Sequence, residues 1–271
     1  MILAEPGATR WDLKWSMFGI PCRVHPLFWL TTLFLSYNYD PTNPSKSIPF
    51  GFMAVTVACI FVSILVHEYG HAFAGRYYGD KGNYTVLTAM GGLCVPSIAT
   101  ERMPRIIELL WGPGAGFILA AVATSLYFLT HYGIVQIGND YVWVAIVTLM
   151  YINILWGVLN LFPVFPLDGG QILVELVRWK APHRGDAFSF TISMYAAIAL
   201  AVLAFLLAVY RSIRGDQDFR SMMPVVLFGI LAYQSYQARQ HIIMYGGMEG
   251  MAPERREAWE QDPDWWKRGG R

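Results

Sequence analysis

The stretch SIPFGFMAVTVACIFVSILVHEYGH, residues 47–71, joins a long apolar segment to five residues with metal-binding chemistry. Ser47 to His67 contains no Asp, Glu, Lys or Arg and is about as long as the 20 residues that a membrane-spanning helix needs. Ionisable groups at membrane depth are costly unless they pair, bind an ion or line water. The stretch therefore predicts a spanning helix whose histidines and glutamate have a functional role.

The composition of the whole chain favours lipid as its main solvent. Of the 271 residues, 55% are hydrophobic and only 14% are charged, whereas about a quarter of the residues are charged in ordinary soluble domains. The formal net charge is +1, which gives no sign of the basic surface that nucleic acid requires. We therefore expect a lipid bilayer as partner and no nucleic acid.

Hydropathy divides the chain into about six apolar segments. The four long ones are Ser47 to His67, Leu109 to Asn139, Tyr141 to Leu167 and Ala187 to Tyr210, and the two short ones are Val24 to Tyr39 and Ser221 to Ala238. We expect an all-α polytopic membrane protein with about six transmembrane helices. Residues 1–246 would form one membrane-embedded domain, and the polar residues 247–271 a flexible cytoplasmic tail.

The distribution of basic residues predicts the orientation in the membrane. With the N-terminus in the cytoplasm, most of the 20 Lys and Arg residues lie on the cytoplasmic side, as the positive-inside rule expects. Arg211, Arg214 and Arg220 fall on the opposite side and disagree. We expect a multi-pass protein with both termini cytoplasmic, and the last two segments are the least certain part of it.

A short β-structure is predicted after the second helix. Residues 83–96 read NYTVLTAMGGLCVP, which is rich in strand formers around Gly91 and Gly92. This segment predicts a membrane-associated hairpin or strand. If it is an edge strand, backbone groups at Val86 and Leu87 would pair with an extended substrate.

The residues His67, Glu68, Tyr69, Gly70 and His71 form an HExxH motif. Histidines four apart share one face of a helix and can bind one zinc ion, which leaves Glu68 as a general base beside the water that the ion activates. Five-residue matches also occur by chance, and two interfacial histidines with a solvated glutamate are the alternative. A third ligand from elsewhere in the chain would decide between them.

Asp168 is the candidate third ligand. It follows the fourth apolar segment in the sequence NLFPVFPLDGG, residues 160–170, where two prolines and two glycines interrupt the helix. The topology brings the ends of the second and fourth segments to the same membrane face. Three protein ligands and one open position are typical of catalytic zinc, so we expect one Zn²⁺ per chain.

Together the two motifs resemble the site-2 protease family. HEYGH at residues 67–71, followed by Asn160, Pro163, Asp168 and Gly169 in the order N-x-x-P-x-x-x-x-D-G, matches the pattern of these intramembrane zinc metalloproteases. The chain resembles a minimal form, without the PDZ or CBS domains that many members carry. The resemblance implies hydrolysis of transmembrane protein substrates with release of a cytoplasmic fragment, and it assigns substrate contacts to Asn160, Gly91 and Gly92.

Other residues receive structural interpretations. Gly112 and Gly116 fit a small-xxx-small surface for close helix packing, although members of the family commonly have Asn near this position. Asn153 is expected to form an interhelical hydrogen bond.

The remaining histidines, His25, His131, His183 and His241, are expected at membrane boundaries and are not assigned to zinc. A catalytically silent adaptor of the same fold and a metal transporter stay open as alternatives. A regulatory membrane partner also stays open.

Overall fold

The computed structural model describes residues 6–37, 49–89, 91–98, 101–181, 185–214 and 219–245. The chain divides into two compact units, the first ending at Val158 and the second beginning at Leu159. The predicted tail, residues 247–271, lies outside the described residues, so the proposed division between domain and tail stays a prediction.

Four strands and four helices make up the first unit, except for the last two residues of the fourth helix, which belong to the second unit. In chain order they are β1 (Leu13–Met17), β2 (Ile20–Val24), α1 (Pro26–Ser36), α2 (Phe50–Tyr77), β3 (Tyr84–Thr88), β4 (Gly91–Val95), α3 (Arg102–His131) and α4 (Asp140–Asn160). The hairpin predicted after the second apolar segment is present as β3 and β4. The hairpin of β1 and β2 was not predicted, because two five-residue strands beside a more apolar segment give little periodic signal.

Helix α2 is longer than the apolar segment predicted. It continues for ten residues beyond His67 and ends at Tyr77, so the HExxH motif lies inside the helix and not at its end. The motif contains no proline, and its glycine costs only about 1 kcal/mol relative to alanine. Both histidines are therefore held by regular helix on either side.

The strands form one sheet in the order β1-β2-β3-β4. Strands β1 and β2 are antiparallel around a turn at Phe18 and Gly19, both of which have positive φ. Strand β2 pairs with β3 in parallel, and β3 pairs with β4 antiparallel. The sheet therefore ends in β1 on one side and β4 on the other.

This order corrects the prediction for Val86 and Leu87. Both lie on β3, which is paired on its two sides, and both are 0% exposed. The carbonyl oxygen of Leu87 accepts a hydrogen bond from the His25 backbone N–H at 2.9 Å. Their backbone groups therefore face neighbouring strands, and an extended substrate would have to pair with the edge strand β4.

The core of this unit lies where the sheet meets α1 and α2. Val24, Phe28, Ile60, Ile64 and Leu87 form a buried apolar cluster. A second cluster joins Ile20 and Cys22 of β2 to Tyr69 and Ala72 of α2. The sheet thus packs on α2 next to the HExxH motif.

Helix α1 begins with a histidine cap. The His25 Nδ1 atom accepts a hydrogen bond from the Leu27 backbone N–H at 3.2 Å, and Pro26 occupies the first helical position. This arrangement satisfies one of the free N–H groups at the helix start. His25 therefore caps the start of α1.

Helices α2 and α4 run parallel. Cys59 lies beside the Ala145 carbonyl, with 3.8 Å between sulfur and oxygen, and the Asn153 amide donates to the Ser63 hydroxyl at 2.8 Å. Residue numbers therefore increase in the same direction along both helices. The interhelical hydrogen bond predicted for Asn153 is confirmed.

The second unit contains three helices. They are α5 (Asp168–Lys180), α6 (Gly185–Ile213) and α7 (Met223–Tyr245), with a short 3-10 turn at Phe219–Met222. Helices α6 and α7 pack through Ala197, Phe228 and Leu231, which enclose Val164 from the loop before α5. The fourth apolar segment is shorter than predicted, since α4 ends at Asn160, seven residues before Leu167.

Four helices among the described residues are long and apolar enough to cross a membrane: α2, α3, α4 and α6. The predicted count of six spans is not confirmed. Helix α1 has only 11 residues, and α7 includes Gln234, Gln237 and Arg239 along its length. The helical fold with a small sheet and several candidate spans still points to an integral membrane protein.

A buried ion pair holds the N-terminal segment on the sheet. Arg23 donates to the Asp12 carboxylate at 2.8 Å, and both side chains are 0% exposed. Burial alone would raise the pKa of Asp12, but hydrogen bonds from Thr9 and Arg23 more than offset it, so the pKa lies below its ordinary value. The resulting stabilisation is present above the unfolded-state pKa and is lost as pH falls through the folded-state pKa.

We predict that Asp12→Asn destabilises the first unit by about 1.5–3 kcal/mol, because it weakens the charge-assisted hydrogen bond between Arg23 and the Asp12 carboxylate. Thermal unfolding in detergent at pH 7 measures the effect. Adding Arg23→Met should recover part of the loss, since an apolar side chain needs no ionic partner. A double variant no more stable than the single one would contradict this account.

Candidate metal centre

The two histidines of the HExxH motif converge on one point. His67 and His71 lie one turn apart on α2, and their Nε2 atoms are 3.2 Å from each other. Two nitrogen ligands about 2.0–2.1 Å from one tetrahedral zinc ion would be about 3.3 Å apart. Both side chains are buried, so the pair has the separation and the shielding of two metal ligands.

A backbone carbonyl orients the ring of His71. Its Nδ1 atom is 2.8 Å from the carbonyl oxygen of Glu108 on α3. A carbonyl oxygen can only accept, so Nδ1 carries the proton and Nε2 keeps its lone pair. Such a second contact on the far ring nitrogen fixes the tautomer of a metal-binding histidine.

Glycines allow α2 and α3 to approach closely at this point. A Cβ atom at Gly112 of α3 would overlap the imidazole of His71, and one at Gly70 of α2 would overlap the Trp111 carbonyl oxygen. Only glycine leaves room for these contacts. The predicted close packing at Gly112 is thus directed at the ligand itself, whereas Gly116 lies near Asn153 at ordinary contact distance.

Glu68 lies under the edge strand of the sheet. Its side chain is 4% exposed, and a Cβ atom at Gly92 would overlap its carboxylate. Gly91 has φ 120° and lies against the indole of Trp156. Gly91 therefore has a conformation that favours glycine, and Gly92 leaves room for the Glu68 side chain. The assignment of both residues to substrate binding stays a proposal.

Asp168 is the first residue of α5 and follows a tightly folded loop. Cβ atoms at Gly169 and Gly170 would overlap backbone atoms of residues 161–165, so the loop folds directly over the start of the helix. Gln171 donates to the Pro166 carbonyl at 3.1 Å. A carboxylate in the first turn is also favoured by the helix dipole. These contacts fix the position of a buried carboxylate.

One atom from each of His67, His71 and Asp168 lies within 4.8 Å of the others. Two imidazole nitrogens and one carboxylate oxygen are a donor set that zinc accepts, and three ligands leave a fourth position for water or substrate. The residues therefore fit a catalytic zinc ion. None of His25, His131 or His241 belongs to this group among the described residues, and His183 lies outside them.

Asn160, the other predicted site residue, is buried at the C-terminal end of α4. Its role in substrate binding stays a proposal. Sequence reasoning missed the Glu108 carbonyl, because a backbone group carries no residue signal. The placement of Gly112 was partly detectable, since a glycine followed by proline inside an apolar helix is costly unless something requires it.

Comparison with known proteins agrees with this site. The sequence model of Peptidase family M50 matches residues 133–204, which include Asp168. A protein of Methanocaldococcus jannaschii named zinc metalloprotease is 25% identical over 224 residues, covering 78% of this chain and 61% of that protein. A putative zinc metalloprotease of Synechocystis is 28% identical over 175 residues, covering 61% of this chain and 43% of that protein.

A solved structure, the site-2 protease from Methanocaldococcus jannaschii, has a similar fold. The TM-score is 0.53 at 24% identity, and the match covers 84% of this chain and 94% of that one. The predicted resemblance to the site-2 proteases is confirmed, and zinc is supported by both the relatives' names and the three-residue group. The chain spans 61% and 43% of the two curated relatives.

We predict that Gly112→Ala weakens zinc binding about ten- to a hundredfold, the range seen when the support of a metal-bound histidine is disturbed. The added methyl group would displace the His71 ring. Gly114→Ala is the matched control, because a Cβ atom there meets nothing within 4 Å. Zinc competition with a chelator measures both variants, and equal affinities would contradict the prediction.

Proposed function

We propose that this chain is an intramembrane zinc metalloprotease of the site-2 type. It hydrolyses peptide bonds within or near transmembrane segments of membrane-protein substrates. The observation that carries the proposal is the grouping of His67, His71 and Asp168, with Glu68 next to the first ligand on the same helix. The confirmed resemblance to the site-2 proteases supports the same reaction.

Each side chain has a defined task in this reaction. When bound, zinc polarises the scissile carbonyl and lowers the pKa of water at the open position. Glu68 takes a proton from the attacking water and later gives it to the leaving nitrogen. Its burial beneath β4 limits its movement, and the Nδ1 contact of His71 keeps that ring in the tautomer that binds metal.

The edge strand β4 is the proposed docking element for substrate. Because Leu87 of β3 directs its carbonyl toward β2, the alternate residues Val86 and Tyr84 face β4. Their partners Leu93 and Val95 then face β3, so the backbone groups of Gly92 and Cys94 face away from the sheet. An extended segment of an unwound substrate could pair there, directly above Glu68.

Membrane topology completes the proposal. Six spans with cytoplasmic N- and C-termini agree with the basic residues, and the parallel course of α2 and α4 agrees with both motifs reaching the same membrane face. Cleavage near that face would release a cytoplasmic fragment. Asn160 is proposed to bind the substrate backbone near the metal.

The alternatives fit the site less well. An adaptor would have no use for a buried Glu68 beside two ordered histidines. A transporter needs ligands along a crossing path, whereas the candidate ligands form one group. Zinc flux into vesicles without proteolysis would favour the transporter.

We predict that Glu68→Gln retains zinc and loses hydrolysis by at least about a hundredfold, because the amide cannot accept the proton. Asp168→Ala should instead lose zinc itself. Metal analysis and cleavage of a reconstituted transmembrane substrate separate the two effects. Near-normal turnover in Glu68→Gln would assign the general base elsewhere, and full zinc content in Asp168→Ala would remove it from the ligand set.

We predict that Cys94→Pro reduces cleavage while leaving zinc content unchanged, because proline removes a backbone N–H that faces away from β3. Cys94→Ala is the control for loss of the thiol and should cleave normally. The measurement is the KM for a transmembrane substrate, which should rise in the proline variant only. An unchanged KM would eliminate docking at β4 without affecting the metal chemistry.

We predict that substrate is cut in the cytoplasm-proximal part of its membrane segment. Mass spectrometry of the product termini locates the cut, and labelling of a cysteine introduced at Glu260 reports the side on which the tail lies. Cuts near the outer face with a cytoplasmic tail would contradict the placement of the site. An external tail would contradict the span count or orientation.

A further inference from the structure

An apolar groove of about 770 Å³ runs along α2 beside the metal-binding turn. It extends from Val62 to Tyr77 on α2, a distance of about 22 Å at 1.5 Å per residue. Trp111 of α3 forms part of one wall, and Tyr69 and Gly70, the middle residues of the HExxH motif, also line it. The volume lies within the range of small-molecule binding sites.

The tip of the β1–β2 hairpin forms part of the lining of this groove through Met17 and Phe18. Phe18 adopts φ 54°, a left-handed conformation that is unusual for a bulky residue. Its ring lies 5.7 Å from that of Phe73 on α2. Arg76 donates to the carbonyl oxygens of Phe18 and Gly19, at 3.3 Å and 2.5 Å. The strained turn is thus fixed on α2 with an exposed aromatic ring above the groove.

The groove is suited to hydrocarbon and not to water. Its walls come mainly from α2 and α3, both candidate membrane spans, and its lining is almost entirely apolar. Water at such a site would lack the two to four polar partners it needs, and an empty space would forfeit dispersion contacts on every wall. An alkyl chain satisfies both conditions.

Basic side chains lie near one end of the groove. Tyr77 and Tyr78 line the groove there, and Arg76 and the exposed Lys81 lie beside them. Tyrosines of this kind favour the membrane interface, and the two basic residues favour an anion. The groove therefore has the polarity of an amphipathic molecule with a long apolar tail and a negative head.

We propose that this groove binds one acyl chain of an anionic phospholipid, with the phosphate beside Arg76 and Lys81. The chain packs against Tyr69 and Gly70 and so supports the helical turn that carries both histidines. An acyl chain gains little on moving from bilayer to protein, because lipid tails are as apolar as the groove. Selectivity for this lipid therefore comes from the charge at the head.

Photo-cross-linking tests the position of the chain. The protein is reconstituted in phosphatidylcholine vesicles containing phosphatidylglycerol with a diazirine at the end of one acyl chain. Cross-links should concentrate at the Val62 end of the groove. Val62→Trp should reduce them, whereas Val122→Trp, a control at an exposed valine of α3 that does not line the groove, should not. Zinc content verifies that each variant is folded.

The charge of the lipid head is tested separately. Lys81→Gln should lower the preference for phosphatidylglycerol over phosphatidylcholine about fivefold, the factor corresponding to one basic residue near an anionic surface. Lys180→Gln, at an exposed lysine of α5, should leave it unchanged. Even labelling of all lipid-facing helices would overturn the proposal in favour of bulk lipid. Displacement of the label by a transmembrane substrate peptide would also overturn it, because the occupant would then be a protein helix.

Discussion

The metal centre depends on the close packing of α2 against α3, which glycines at the contact make possible. Where Gly70 meets the Trp111 carbonyl and Gly112 meets the ring of His71, a single methyl group on either helix would separate them. The same approach brings the Glu108 carbonyl to Nδ1 of His71. Packing, tautomer and ligand direction are thus set by one contact between two helices.

The sheet adds a second close approach on the neighbouring side of α2. Gly92 lets β4 lie directly over Glu68, while Cys22 and Cys94, which both pair with Thr85, lie in one row across the sheet. Burial raises the pKa of the Cys22 thiol to about 12 and that of Cys94 well above its ordinary value. Both thiols therefore stay neutral and behave as small apolar side chains beneath the strands.

Much of the site could be predicted from sequence because its chemistry is local. Each of its two motifs can be recognised within a short segment: two histidines four residues apart on a helix, and a carboxylate followed by two glycines. The parts that sequence did not reveal depend on contacts between distant segments. Strand order made β4 and not β3 the free edge of the sheet, and the position of Glu108 mattered only through its backbone. Segment ends were also misplaced, since α2 continues as a helix past the apolar run and the loop after Asn160 shortens α4.

A hydrogen bond between α2 and α4 explains how the metal-binding helix keeps its register in an apolar setting. Ser63 lies one turn before His67, and its hydroxyl accepts from the Asn153 amide, which also donates to the Leu149 carbonyl. Both side chains are buried. Apolar packing alone tolerates small slides of one helix along another, because lipid and leucine side chains are nearly equivalent neighbours. A buried amide leaves a donor unsatisfied when it slides, so this pair fixes α2 along its axis, while Gly70 and Gly112 fix its distance from α3. The position of His67 is thus determined by two independent contacts before any metal binds.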